Sequence, residues 1–140
     1  MITIADIAEA VKDDLNVAVF SEDFAAVRSY QPTYELADMG TLHVTVVPKA
    51  IAETPGTRHS SHFNYDIDIG VQKKIAATTD IDGLITLVRE IAAFLARHRL
   101  VAQPEALWVG TINEPIFAPD HLEQMRQFTS VLTVTYRVLE

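Results

Sequence analysis

Phe63-Asn64-Tyr65-Asp66-Ile67-Asp68-Ile69-Gly70-Val71-Gln72 is the stretch that decides the fold. Phe63, Tyr65, Ile67, Ile69 and Val71 point one way, and Asn64, Asp66, Asp68, Gly70 and Gln72 the other, which is the period-two alternation of a strand with one dry and one wet face. Upstream, Leu42, Val44 and Val46 alternate with His43 and Thr45 in a second half-buried strand that is expected to end at Pro48. The two are expected to pair antiparallel. Between them, residues 48–61 hold Pro48, Pro55 and Gly56 with no sustained period, so the reading is a hairpin with a long exposed loop. Loops above about 12 residues are uncommon in compact domains and are usually functional or mobile.

Outward from this hairpin, Ile4, Ile7, Ala8, Val11 and Leu15 form one helical stripe, with Thr3 as N-cap and Asp6 and Glu9 in the early turns. Lys12, Asp13 and Asp14 read as its solvated face. Val17–Phe20 reads as a short strand and Ala25–Glu35 as another, interrupted by Pro32, before a turn at Asp38-Met39-Gly40. Thr78-Thr79-Asp80 caps a second helix whose stripe is Ile81, Leu84, Ile85, Val88, Ile91, Ala92 and Leu95, widened by Leu87 and Phe94. Arg97, His98 and Arg99 are expected at its C-terminus, where cations suit the dipole. Leu107–Ile112 reads as a strand, Pro115–His121 as a connection and Phe128–Leu139 as the last strand. The order predicts an α+β fold: a mainly antiparallel sheet with a long-loop hairpin, packed on one face by an N-terminal helix and one long central helix.

At 140 residues, 49% apolar and 21% charged, without repeats or low-complexity tracts, residues 1–140 are expected to form a single domain. Nineteen acids against eleven bases give a formal charge of −8, which disfavours specific nucleic-acid binding, since phosphate affinity comes from Lys and Arg. Residues 1–70 carry net −7 and residues 71–140 net −1, so one face is expected to be electronegative. There is no cysteine, which removes thiol nucleophiles and cysteine-held metals. No apolar run reaches the roughly 18 residues of a membrane span, and Asp6 precedes any basic residue, so the expectation is a cytoplasmic chain without membrane contact.

Phosphate-cradle and nucleophile-elbow motifs are absent, and Gly40, Gly56, Gly70, Gly83 and Gly110 are scattered. His59 and His62 with Asp66 and Asp68 contain the right atoms for a divalent metal, but lack the spacing that makes such a set specific; a solvated strand face explains them. Ser60-Ser61 beside the same histidines lacks any reason to place a hydroxyl against an oriented imidazole. The acid pairs Asp13-Asp14, Glu22-Asp23 and Asp80-Asp82 suit caps and solvent, His43 a strand surface, and Trp108 either core or a subunit interface. No catalytic, cofactor or metal site is assigned, and no enzyme. Thr41, Thr45, Thr133 and Thr135 on amphipathic strands suit a subunit of an assembly.

Four segments carry a resemblance: Leu42-His43-Val44-Thr45-Val46-Val47-Pro48; Tyr65-Asp66-Ile67-Asp68-Ile69-Gly70-Val71-Gln72-Lys73-Lys74; the helix from Asp80; and Phe128-Thr129-Ser130-Val131-Leu132-Thr133-Val134-Thr135-Tyr136. From about residue 2 to the end, the chain resembles the tail terminator and minor tail (head–tail joining) proteins of long-tailed bacteriophages and prophages. That resemblance implies a structural virion protein in a ring, often a homohexamer, which caps the tail tube, stops its polymerisation and meets the head-completion protein. DNA would pass through the hole, and a charge of −8 per subunit suits sliding without sticking. The implied location is the virion tail, assembled in the host cytoplasm. A head-completion or neck adaptor is the near alternative, and a small metal-dependent hydrolase or ligand-binding domain the distant one. Partner contact is expected on the predicted loop, at Lys49, Ile51, Glu53, Arg58 and His59, since a long loop without core duties is retained for use.

Overall fold

The chain runs α1 (Ile4–Val17), β1 (Ala26–Arg28), β2 (His43–Pro55), β3 (Ser61–Lys74), α2 (Thr79–Leu95), β4 (Leu107–Asn113), α3 (Pro119–Met125) and β5 (Gln127–Leu139). The computed structural model describes residues 1–30 and 41–140, the side chains of Gln124 and Met125 excepted. The predicted turn at Asp38-Met39-Gly40 and the stretch around Pro32 and Glu35 lie outside the described residues. Five strands form one sheet in the order β1-β2-β3-β5-β4, with β1 parallel to β2 and every other pair antiparallel. The α+β expectation holds, and the β2–β3 hairpin is antiparallel.

Directly opposed residues share a face, so the register assigns the core. Val46 opposes Ile69, which opposes Leu132; Pro48, Ile67 and Val134 make the next row, and Tyr65, Tyr136 and Trp108 another. Ile67, Ile69, Leu132, Val134 and Tyr136 are fully buried beneath the helices. Helix α1 packs on β1, β2 and β3, and α2 on β5. From α1 come Ile7, Ala8, Val11 and Leu15; from α2 come Leu84, Leu87, Val88, Ile91 and Leu95.

Helix α1 starts in a capping box. Asp6 N donates to Thr3 Oγ1 at 3.2 Å and Thr3 N donates to Asp6 Oδ2 at 3.0 Å, satisfying two donors that a helix start leaves free. The Thr3 backbone N–H, more than its hydroxyl, holds the Asp6 carboxyl below the usual carboxylate range. At α2 the expected Thr78 cap is replaced: Thr78 makes no side-chain cap, and Asp80 Oδ2 instead accepts from Ala76 N and Ala77 N, both at 3.2 Å. The helix stops at Leu95, and Arg97 takes a left-handed turn at φ 60°, so Arg97, His98 and Arg99 lie beyond the last turn.

Three other expectations are corrected. Val17–Phe20 is not a strand; α1 continues to Val17, and the apolar run serves a loop in which Phe20 stacks on Phe24 at 5.4 Å and meets Phe94 edge-on at 5.7 Å. The connection after Pro115 contains α3, opened by Pro119 at a position whose missing N–H costs nothing. Most consequential, the long loop of residues 48–61 does not exist. β2 runs through Pro48 to Pro55, leaving a turn of residues 56–60. Val46 O accepts from Ser29 N on the outer edge, and Pro48, two residues on, presents its backbone to that same edge just past the end of β1. A proline there removes no bond from the β2–β3 ladder.

Two bulges interrupt the ladders, one at Lys49 between Pro48 and Ala50, the other at Val109 between Trp108 and Gly110. Beyond the first, Ile51 opposes Tyr65 and Glu53 opposes Phe63, on the helix side; beyond the second, Thr111 and Asn113 oppose Val134 and Leu132, also on the helix side.

Candidate functional site

The outer half of β2 is the surface that core packing does not explain. Val44–Val47 are buried, whereas residues 49–59 are all exposed, although β3 pairs with this segment to its end. The ribbon is nonetheless well tied. Gly56 N and Thr57 N both donate to Ser60 O, at 3.0 and 3.1 Å, and Ser61 exchanges backbone bonds with Glu140. A Cβ on Gly56 would sit 3.1 Å from Leu139 Cδ1 and 3.2 Å from the His62 ring, so the turn closes against β3 and β5 where a side chain would press on both.

The five expected contact residues divide. Lys49 sits at the bulge, with Nζ 3.8 Å from Asp68 Oδ1, and Ile51 is 56% exposed in mid-ribbon. Glu53, Arg58 and His59 come together at the tip, around a polar hollow of about 460 Å³ that Glu140 also lines. They therefore mark a strand and its turn, about 13 Å from Lys49 to Glu53 at strand rise.

The wet face of β3 and β5 is a ladder of cross-strand pairs. Thr133 Oγ1 donates to Asp68 Oδ1 at 2.6 Å, Thr135 Oγ1 to Asp66 Oδ1 at 2.7 Å, and Arg137 Nε to Asn64 Oδ1 at 3.0 Å. These groups are half-buried or exposed, and their acceptors are satisfied across the strands. His62 opens β3 on this face, its Nδ1 buried without a hydrogen-bond partner among the described residues, while His59 stands in the exposed turn. His59, His62, Asp66 and Asp68 do not converge, and no group of three His, Asp or Glu among the described residues is placed to hold a metal. Ser60 Oγ meets Thr57 Oγ1 at 2.6 Å.

Two features escaped the sequence reading. Asp14, read as solvated, is 4% exposed, and its Oδ2 lies 2.7 Å from His98 Nε2 and accepts from Val101 N at 3.2 Å, tying α1 to the segment after α2. Tyr136 is buried nearby with its hydroxyl unpartnered among the described residues, and burial, with a smaller contribution from Asp14, pushes its pKa far up. The second feature is an apolar groove of about 710 Å³ between α2 and β4, lined by Ile85, Ala92, Ala93, Trp108, Ile116 and Leu132. Arg97 Cζ stands 5.7 Å from the Trp108 ring centroid. Trp108 was the signal available in the sequence, and it serves both readings, half-buried core and open surface.

No family model and no curated protein matches the chain. Among solved structures, a chain of the native gene transfer agent (GTA) virion particle aligns with a TM-score of 0.66 over 100% of both chains, at 13% identity. The two share a fold. No described helix is long and apolar enough to cross a membrane.

Proposed function

We propose that this chain is a structural, non-enzymatic virion protein of the phage type, a single-domain subunit of a ring that caps the tail tube, ends its polymerisation and joins it to the head. The observation that carries the reading is the end-to-end fold likeness to a chain of the GTA virion particle. The wet sheet face supports it as well, because its carboxylates are engaged by threonine hydroxyls across the strands instead of being gathered around a reaction centre. On this reading the partners are further copies of the chain, a hexamer by the resemblance, together with the tail tube protein and the head-completion protein. DNA passes through the ring, and an excess of eight negative charges per subunit keeps it from binding there. The protein assembles in the host cytoplasm and resides in the virion tail.

Light scattering on the purified chain, followed by electron microscopy with polymerised tail tubes, tests this directly. Closed rings seated on tube ends are expected. Monomer at every concentration up to the millimolar range, with bare tube ends, would remove the reading, and rings that bind the head connector but ignore tubes would reassign the chain to a head-completion or neck adaptor.

A further inference from the structure

The exposed ribbon and the apolar groove lie on opposite edges of the same sheet, and we propose that they are two halves of one contact: the outer half of β2 seats in the α2–β4 groove of a second copy, head to tail. The inference rests on the ring reading and adds to it the surfaces that meet.

The groove exists because α2 covers β5, leaving the helix-side surface of β4 without a helix over it. Its walls are small (Ala92, Ala93), its floor is apolar at Trp108 and Leu132 and polar at Thr111 and Asn113, and Ile116 on the rim is 53% exposed. A hollow of about 710 Å³ far exceeds the roughly 30 Å³ share of one water and accommodates several side chains. β4 itself, Leu107-Trp108-Val109-Gly110-Thr111-Ile112-Asn113, carries no charge, and among the described residues no strand pairs with its outer edge. Edge strands without charge or cover are the ones that recruit a partner.

The ribbon supplies what this groove lacks. Its bulge places Ile51 and Glu53 on the helix side of the sheet, the side on which the groove opens. Arg89 lines the groove and is exposed, and neither it nor Glu53 belongs to any ion pair among the described residues. Between Ala50 and Pro55 the ribbon's one charged residue is Glu53, and Arg89 is the charged residue lining the groove, so the two surfaces complement each other in charge as well as in apolar character. Ile51 against the apolar floor contributes affinity, and Glu53 opposite Arg89 sets register, since an exposed ion pair alone is worth little.

Geometry excludes a chain from filling its own groove. β3 and β5 separate β2 from β4, three strand spacings or about 14 Å. Donor and acceptor on opposite edges make a heterologous contact, the kind that builds a ring when the rotation between copies closes.

The absence of cysteine makes the test clean. A chain carrying both Ile51→Cys and Ala93→Cys, oxidised and run on a denaturing gel, should give a ladder of disulfide-linked multimers, while each single variant gives at most a dimer. In parallel, Glu53→Arg and Arg89→Glu should each weaken association measured by light scattering about tenfold, and their combination should restore it. No ladder from the double-cysteine chain while the parent still forms rings would overturn the groove contact and leave the ring reading standing. Monomeric parent protein without a ladder would overturn both. Crosslinking of the groove cysteine to tail tube protein alone would overturn a second copy as the occupant.

Discussion

The two halves of β2 obey the same ladder and meet different surroundings. Val44 and Val46 lie under α1, opposite Val71 and Ile69, and are closed to solvent; Ile51 and Glu53 lie on the same side of the same sheet, opposite Tyr65 and Phe63, with solvent above them. Backbone pairing with β3 suffices to hold the outer half extended, because β3 is itself flanked by β5 along its whole length. An isolated two-stranded hairpin is marginal in water, and a third strand removes that weakness. The inner half is sealed into the core, and the outer half keeps its surface exposed.

The sharpest way to break this comparison is a matched pair of truncations. Ile69→Ala, in the row with Val46 and Leu132, is expected to cost about 2–5 kcal/mol in chemical denaturation, whereas Ile51→Ala stays within about 0.5 kcal/mol. An equal cost at the two sites would make the ribbon part of the core. A second variant sharpens the boundary on the helical side: Asp14→Ala leaves Val101 N without its acceptor and His98 without its partner, and should cost about 1–3 kcal/mol by the same measurement. A smaller loss than at Ile69 or Asp14 is expected at the N-terminal cap, where Thr3→Ala should cost about 1 kcal/mol.

That cap also carries a pH dependence whose sign is set by the lowered Asp6 pKa. A carboxyl whose folded-state pKa lies below its unfolded one stabilises the fold above the unfolded value, and the contribution is lost as the pH falls through the lowered value. Denaturation midpoints followed into acid should therefore fall less steeply for Asp6→Asn than for the parent chain.

How much of this was legible in the sequence follows from where a face is buried. β3 and β5 announce themselves because Tyr65, Ile67, Ile69 and Val71, and Leu132, Val134, Tyr136 and Val138, are dry while their neighbours are not. α1 and α2 are legible for the same reason at helical period. Ala50-Ile51-Ala52-Glu53-Thr54 shows no alternation because neither face of the ribbon is covered, and so a strand reads as a loop; the five residues at which partner contact is expected stand along a strand and its turn. The burial of Asp14 is not legible in the sequence, because its partner, His98, is 84 positions away and no local pattern marks the pair. The groove had no pattern to find, being a gap in the helical layer, and Trp108 was the one residue that pointed to it.

The bulges at Lys49 and Val109 act as phase shifters. Each inserts one residue and reverses which parity of side chain faces the helices: even numbers before it (Val46, Pro48; Trp108), odd numbers after it (Ile51, Glu53; Thr111, Asn113). With Lys49 in the ladder, Ile51 would oppose Asn64 on the wet face; with Val109 in the ladder, Ile112 would oppose Leu132 in place of Asn113. The uninterrupted β3–β5 pair keeps its phase throughout and carries the core. The chain thus encodes the facing of its outward surfaces in two single-residue insertions, and a strand pattern read through either one without a change of phase assigns every later side chain to the wrong side.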